Sequence, residues 1–217
     1  SGEVVSYSAY TINIGTYEVT EYQSVKDKLI IGTPSKIIYN EDEDDWYYFT
    51  LPIENKGSAE ISNGELIIYY WKGDKIIGVN TESLAGVVGG ETTNRKIYAD
   101  RYLVDGTYVI PDGVTVDYNY ANVRGNDLIQ EGENKSIIYE YENESEVNKF
   151  KLVDDKEIGD KLVLKLKYEG EPYVEAWLRV NYYDQAGNLI KSSDHSGWEY
   201  AQKGETISIV FNLPKNS

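Results

Sequence analysis

Ser192, Ser193, Asp194, His195 and Ser196 put the residue types of a hydrolytic triad into five consecutive positions, and His195 is the chain's one histidine. A triad works because the fold brings a nucleophile, an oriented base and a carboxylate together from separate segments. Neighbours in one strand or loop project in different directions, so this run reads as a solvated loop. Carboxylates are the second candidate, since a glycosidase needs two of them at a set separation. With 37 Asp and Glu in the chain, some pair always lies close, and their abundance names no catalytic pair. No motif supplies a nucleophile or a base. The expectation is a protein that is not an enzyme, with no catalytic residues and no cofactor.

Metal ligands and stacking aromatics are the next candidates. Asp42, Asp44 and Asp45 offer oxygen ligands for calcium, but the Asp-x-Asp-x-Asp-Gly loop is missing. The run Glu41 to Asp45 therefore reads as a self-repelling, solvated loop, and no metal site is expected. Lys and Asn are both plentiful, yet no spacing singles out a pair for an intramolecular Lys–Asn bond. Of the four tryptophans, Trp177 stands mid-strand in Glu175-Ala176-Trp177-Leu178 and is expected in the core. Trp71 and Trp198 flank turns, are expected at the surface, and are the candidate ligand-binding residues.

The elements that must carry these residues are β-strands. The chain has 217 residues, room for two domains of about 100. Its 21 Tyr against 3 Phe suit half-buried pleated surfaces that keep a polar tip in water. Trp46 to Ile53, Glu65 to Trp71, Lys75 to Val79, Val114 to Ala121, Lys161 to Tyr168, Tyr173 to Tyr183 and Ile207 to Leu213 read as strands. Gly89-Gly90-Glu91-Thr92, Asp105-Gly106, Pro111-Asp112-Gly113 and Lys203-Gly204-Glu205-Thr206 punctuate them as turns, the middle two as hairpins. At most one helical turn is expected, within Thr81 to Val88.

The second half echoes the first. Aligning Tyr69 with Tyr182 and Ile77 with Ile190 gives one offset of 113 residues, and Gly90-Glu91-Thr92 matches Gly204-Glu205-Thr206 at 114. The boundary falls in the polar, Gly-bearing stretch near residue 126. The expected fold class is all-β, two tandem immunoglobulin-like β-sandwich domains. Residues 1–126 form the first, with an N-terminal extension, and residues 127–217 the second. After its Gly-Glu-Thr turn the second half ends without the two further strands that the first half has. It apparently lacks its last strand. The segment around Tyr10 to Val19, or a neighbouring chain, is expected to cover that edge, because an open edge invites association.

Composition narrows partners. A net charge of −16 is repelled by DNA, RNA and anionic membranes, so no nucleic-acid partner is expected. With no Cys, disulfides, thiolate metal sites and Cys nucleophiles are excluded. No apolar run approaches the ~20 residues of a membrane span. There is no leader pattern and no Met, so Ser1-Gly2 reads as the start of a trimmed chain.

Tyr182-Tyr183-Asp184 with Gly187, followed by Gly204-Glu205-Thr206 and a strand, resembles the FxLYD-type immunoglobulin-like domains of bacterial exported proteins. Tyr183-Asp184 match the end of that motif, Val180 stands where the pattern has Phe, and Tyr182 where it has Leu. In the first half Tyr70 is kept and Trp71 replaces the Asp. The resemblance covers about half of each repeat. It implies a non-enzymatic, extracellular or cell-surface module, such as part of a lipoprotein, for spacing, adhesion or protein binding, with its anchor outside this sequence. The alternative is a carbohydrate-binding module using exposed Trp and Tyr. The expected partner is a protein or a glycan.

Overall fold

The computed structural model describes residues 3–18, 22–40, 46–124, 149–171, 174–195 and 199–215. The described chain is all-β and built from antiparallel sheets, and its one helical element is a 3-10 turn at Lys26–Lys28. Its contacts divide it into two compact units, Ser1–Thr20 with Ile137–Ser217, and Glu21–Ser136. The expected boundary near residue 126 lies outside the described residues.

In the Glu21–Ser136 unit, β5 (Trp46–Asn55) pairs with β8 (Thr92–Ala99) along one side and with β3 (Leu29–Ile31) and β4 (Ile38–Asn40) along the other. The second sheet runs β2 (Tyr22–Ser24), β11 (Gly113–Arg124), β6 (Asn63–Lys72), β7 (Lys75–Ser83). Alternation then sorts the side chains. Phe49, Leu51 and Ile53 of β5 meet Leu66, Ile68 and Tyr70 of β6 in one apolar cluster. A hairpin of β9 (Tyr102–Val104) and β10 (Thr107–Val109) lies between β8 and β11 in the chain. Asp105 and Gly106 both take positive φ, 49° and 76°, as a two-residue hairpin turn requires.

Two local expectations change. Thr81 to Val88 holds no helical turn: β7 runs on to Ser83, and the Arg95 guanidinium bonds the carbonyls of Ser83 and Ala85 in the turn that follows. Pro111-Asp112-Gly113 makes no hairpin either. It passes the chain to β11, which pairs with β6, and the Asp112 N–H donates to the Trp71 carbonyl at 2.9 Å.

The other unit has a sheet β12 (Phe150–Ile158), β13 (Lys161–Tyr168), β17 (Thr206–Asn212). Its second sheet runs β1 (Ala9–Glu18), β14 (Val174–Tyr183), β15 (Leu189–Asp194), with β16 (Glu199–Ala201) also on β14. The N-terminal extension, assigned by sequence to the 1–126 half, thus packs with the other unit. Ala9 through Glu18 pair with Tyr183 through Val174 without a break. Tyr10, Ile12 and Ile14 turn inward onto the cluster of Leu164, Leu178, Val180, Tyr182 and Phe211. The open side of β14 gains a ladder of main-chain bonds, and the alternation of β1 gives that ladder an apolar inner face.

Part of the strand pairing is alike in the two units. β5 and β13, β8 and β17, β6 and β14, and β7 and β15 occupy like places, and β1 stands on β14 where β11 stands on β6. The turns agree in detail. Gly90 N–H donates to the Asn55 carbonyl at 2.8 Å and Asn55 N–H to that of Glu91 at 3.0 Å. Gly204 N–H donates to the Tyr168 carbonyl at 2.8 Å and Tyr168 N–H to that of Glu205 at 2.9 Å. Both glycines have positive φ, 75° and 84°. The equivalence of Tyr69 with Tyr182 is corrected by one residue. Tyr70 is the counterpart of Tyr182: both rings are in the core, and their hydroxyls donate to the carbonyls of Tyr98 and Asn212, each at 3.3 Å. The hairpin after Tyr183 is one residue longer than that after Trp71, which restores the offset of 113 beyond the turn.

Candidate functional site

His195 directly follows β15, and its neighbours Ser192 and Asp194 bond to Asn181 and Arg179. Its backbone N–H donates to the Leu178 carbonyl at 3.0 Å, and its ring meets that of Phe211 edge-on at 6.0 Å. Asp194 is held by Arg179, with Nε at 2.5 Å and a terminal nitrogen at 3.1 Å. That bond keeps the Asp194 carboxyl below its ordinary pKa and the guanidinium above its own. The Ser192 hydroxyl donates to the side-chain oxygen of Asn181 at 2.6 Å. Alternation along β15 sends Ser192 and Asp194 to the outer face, with partners of their own. His195 was expected to be solvated; it is instead half-buried against Phe211.

Among the described residues no three His, Asp or Glu side chains gather as a metal site, and no helix is long and apolar enough to cross a membrane. The acidic run 41–45 lies outside the described residues, as does Trp198. Trp71, next to last in β6, is half-buried, with its indole N–H donating to the Thr115 hydroxyl at 2.8 Å.

Trp177 is corrected from core to outer face. Ala176 and Leu178 turn inward, so Trp177 turns outward, half-buried, and its indole lies against Gly15 of β1. A Cβ on Gly15 would sit 2.0 Å from the indole nitrogen. Glycine inside a strand often marks such a close approach. Gly15 was the signal that would have located this contact. The same face of β14 carries Glu175 accepting from the Tyr200 hydroxyl at 3.1 Å, the Arg179–Asp194 pair, the Asn181–Ser192 pair, and Tyr183 beside Thr11 at 3.4 Å.

A second aromatic face lies on the β3–β5–β4–β8 sheet. Ile38, Tyr48 and Tyr98 are cross-strand neighbours, with Ile38 and Tyr98 44% and 46% exposed. The Lys96 ammonium stands 4.3 Å from the Tyr48 ring centre and 5.2 Å from that of Tyr98. Cation–π attraction there seats a cation on a face otherwise made of apolar and tyrosine surface.

The third cluster lines the seat of β1. Tyr7 meets Tyr182 edge-on at 5.0 Å and Tyr10 at 6.4 Å. The Tyr7 hydroxyl donates to the Glu157 carboxylate, and the Tyr10 hydroxyl to Asp155 at 2.8 Å. Burial, then the Glu157 bond for Tyr7 and the Asp155 bond for Tyr10, push both phenols above their ordinary pKa. Burial and then the Glu157 charge push Tyr182 up to about 12. Two phenols of the N-terminal segment are thus tied to two carboxylates of β12, across the edge between the unit's two sheets.

Comparison of the chain with family models, with curated proteins and with solved structures finds no match.

Proposed function

We propose that the chain consists of two immunoglobulin-like sandwiches of a bacterial exported protein and serves, without enzymatic activity, as a cell-surface module for spacing, adhesion or protein binding. The observation that carries this reading is the likeness of the central pairings in the two units, β5 with β8 against β13 with β17 and β11–β6–β7 against β1–β14–β15, together with the matching bonds of the Gly90 and Gly204 turns. Two small facing sheets of short antiparallel strands are the architecture of immunoglobulin-like modules. The FxLYD-like stretch also has a structural role that supports the resemblance. Asp184 accepts from the N–H groups of Ala186 at 2.9 Å and Asn188 at 2.8 Å and so shapes the β14–β15 turn. Those bonds, the Asn188 side chain first, keep its carboxyl below the ordinary pKa. In the other unit Lys72 occupies that position, and Asp112 reaches across from the neighbouring connection to accept from Gly73 N–H at 3.1 Å.

The glycan-binding alternative draws on the outer face of β14, where Trp177 and Tyr183 flank the Arg179–Asp194 and Asn181–Ser192 pairs. A glycan array on the whole protein separates the two readings. Absence of any glycan signal favours the spacer and protein-adhesion reading. A signal lost in Trp177→Ala, Trp71→Ala or Trp198→Ala favours the carbohydrate reading.

A further inference from the structure

We propose that the seat of β1 is a strand-acceptor site that a second copy of this chain can fill, β1 of one copy pairing with β14 of the other. Three observations lead there. First, the open side of β14 is covered by a segment that precedes the whole Glu21–Ser136 unit in the chain, whereas the like side of β6 is covered by β11, from its own unit. β1 shares no hairpin with any strand it packs on. Second, recognition uses an extended main chain plus a short pattern. Tyr10, Ile12 and Ile14 face the core, Gly15 admits Trp177, and the Tyr7 and Tyr10 hydroxyls meet Glu157 and Asp155. An edge ladder for affinity and alternate side chains for specificity are the elements of strand-addition binding. Third, every one of these contacts is the same whether β1 comes from its own chain or from another.

With the contacts equal, the balance rests on effective concentration, on the order of millimolar for tethered segments. Loop length alters that only slowly, and exchanging an identical element is a low-cost route to dimers. Exchange is therefore small at micromolar chain and substantial as the chain approaches millimolar density.

The chain has no Cys, which makes the test clean. Thr11 lies opposite Asn181 on the outer face of the β1–β14 pair. Full chains carrying Thr11→Cys and full chains carrying Asn181→Cys are co-refolded at ~10 μM and at ~1 mM, spanning the expected effective concentration, and then oxidised. Expected is a disulfide-linked heterodimer whose yield rises with concentration. Little should form when Thr11→Cys is mixed with Ser192→Cys, which lies one strand farther away on β15. The double variant Thr11→Cys/Asn181→Cys should close its bond within one chain. Monomers alone at ~1 mM, with the double variant closing normally, would overturn the proposal. Failure of the double variant to close would overturn the pairing on which it stands.

Discussion

Gly15→Ala probes the contact between the N-terminal strand and β14. The new methyl carbon would lie 2.0, 2.2 and 2.6 Å from three atoms of the Trp177 indole, so the ring must leave its place. Overpacking of this kind costs about 1–3 kcal/mol. Against it, Ala lowers the entropy of the unfolded chain, worth about 0.4–1 kcal/mol. The net expectation is a loss of about 1–2 kcal/mol, a fall of roughly 4–16 °C in the melting of a unit of about 100 residues. The assay is thermal and urea unfolding by circular dichroism in a cycle with Trp177→Ala. Once the indole is gone, Gly15→Ala should be neutral or mildly stabilising, giving a coupling of about 1–3 kcal/mol. Equal destabilisation in both backgrounds would place the cost in the β1 backbone and refute the reasoning. No effect with Trp177 present would mean that the ring does not lie over Gly15.

Asn55, 1% exposed, donates to the Ala59 and Val87 carbonyls at 2.9 and 3.1 Å and accepts from Gly57 N–H at 2.9 Å. Asn55→Ala strands these groups and should cost about 3 kcal/mol in urea unfolding. Tyr182→Phe removes one hydroxyl–carbonyl bond and should cost about 0.5–1.5 kcal/mol; Tyr70→Phe removes the like bond and also side-chain bonds to Asn80 and Tyr102, so it should cost more. For Tyr182 the fold favours the neutral phenol, with a pKa of about 12 against about 10 unfolded. Its contribution is complete below pH 10 and lost as pH rises from 10 to 12. Burial raises Tyr7, Tyr10 and Tyr70 in the same direction. In a phenolate absorbance titration this subset of the tyrosines should ionise late, together with loss of the circular dichroism signal, and Tyr182→Phe should flatten the decline.

The turns were the most legible part of this chain, because their residues answer local needs. Asp105-Gly106 and the glycines of the two Gly-Glu-Thr runs take positive φ, which few other residues tolerate. Leu162, Leu164, Leu166 and Tyr168 alternate along β13 and all enter the core, although Val163 on the opposite face is buried as well. Register was harder. Tyr69-Tyr70 and Tyr182-Tyr183 are identical pairs, so a slip of one leaves the letters matched while reversing the faces. The longer hairpin after Tyr183 then hid the slip by restoring the offset. Ring size points Trp177 to the core, but the strand period overrides it: Val174, Ala176, Leu178, Val180 and Tyr182 claim the inner face. Pro111-Asp112-Gly113 carries turn chemistry, but turn chemistry does not say which sheet the next strand joins. Trp71 could be placed near a turn by sequence, whereas its bond to Thr115 depends on a strand more than 40 residues away.

Cross-strand nuclear Overhauser contacts between residues 9–18 and 174–183 test the central claim most directly, that the N-terminal strand completes the sandwich of the C-terminal half. Contacts centred on Ile12 opposite Val180 and Ile14 opposite Leu178, with slow amide exchange along β14, are the predicted result. Rapid exchange on the β1 side of β14, with no contact to residues 9–18, would contradict it.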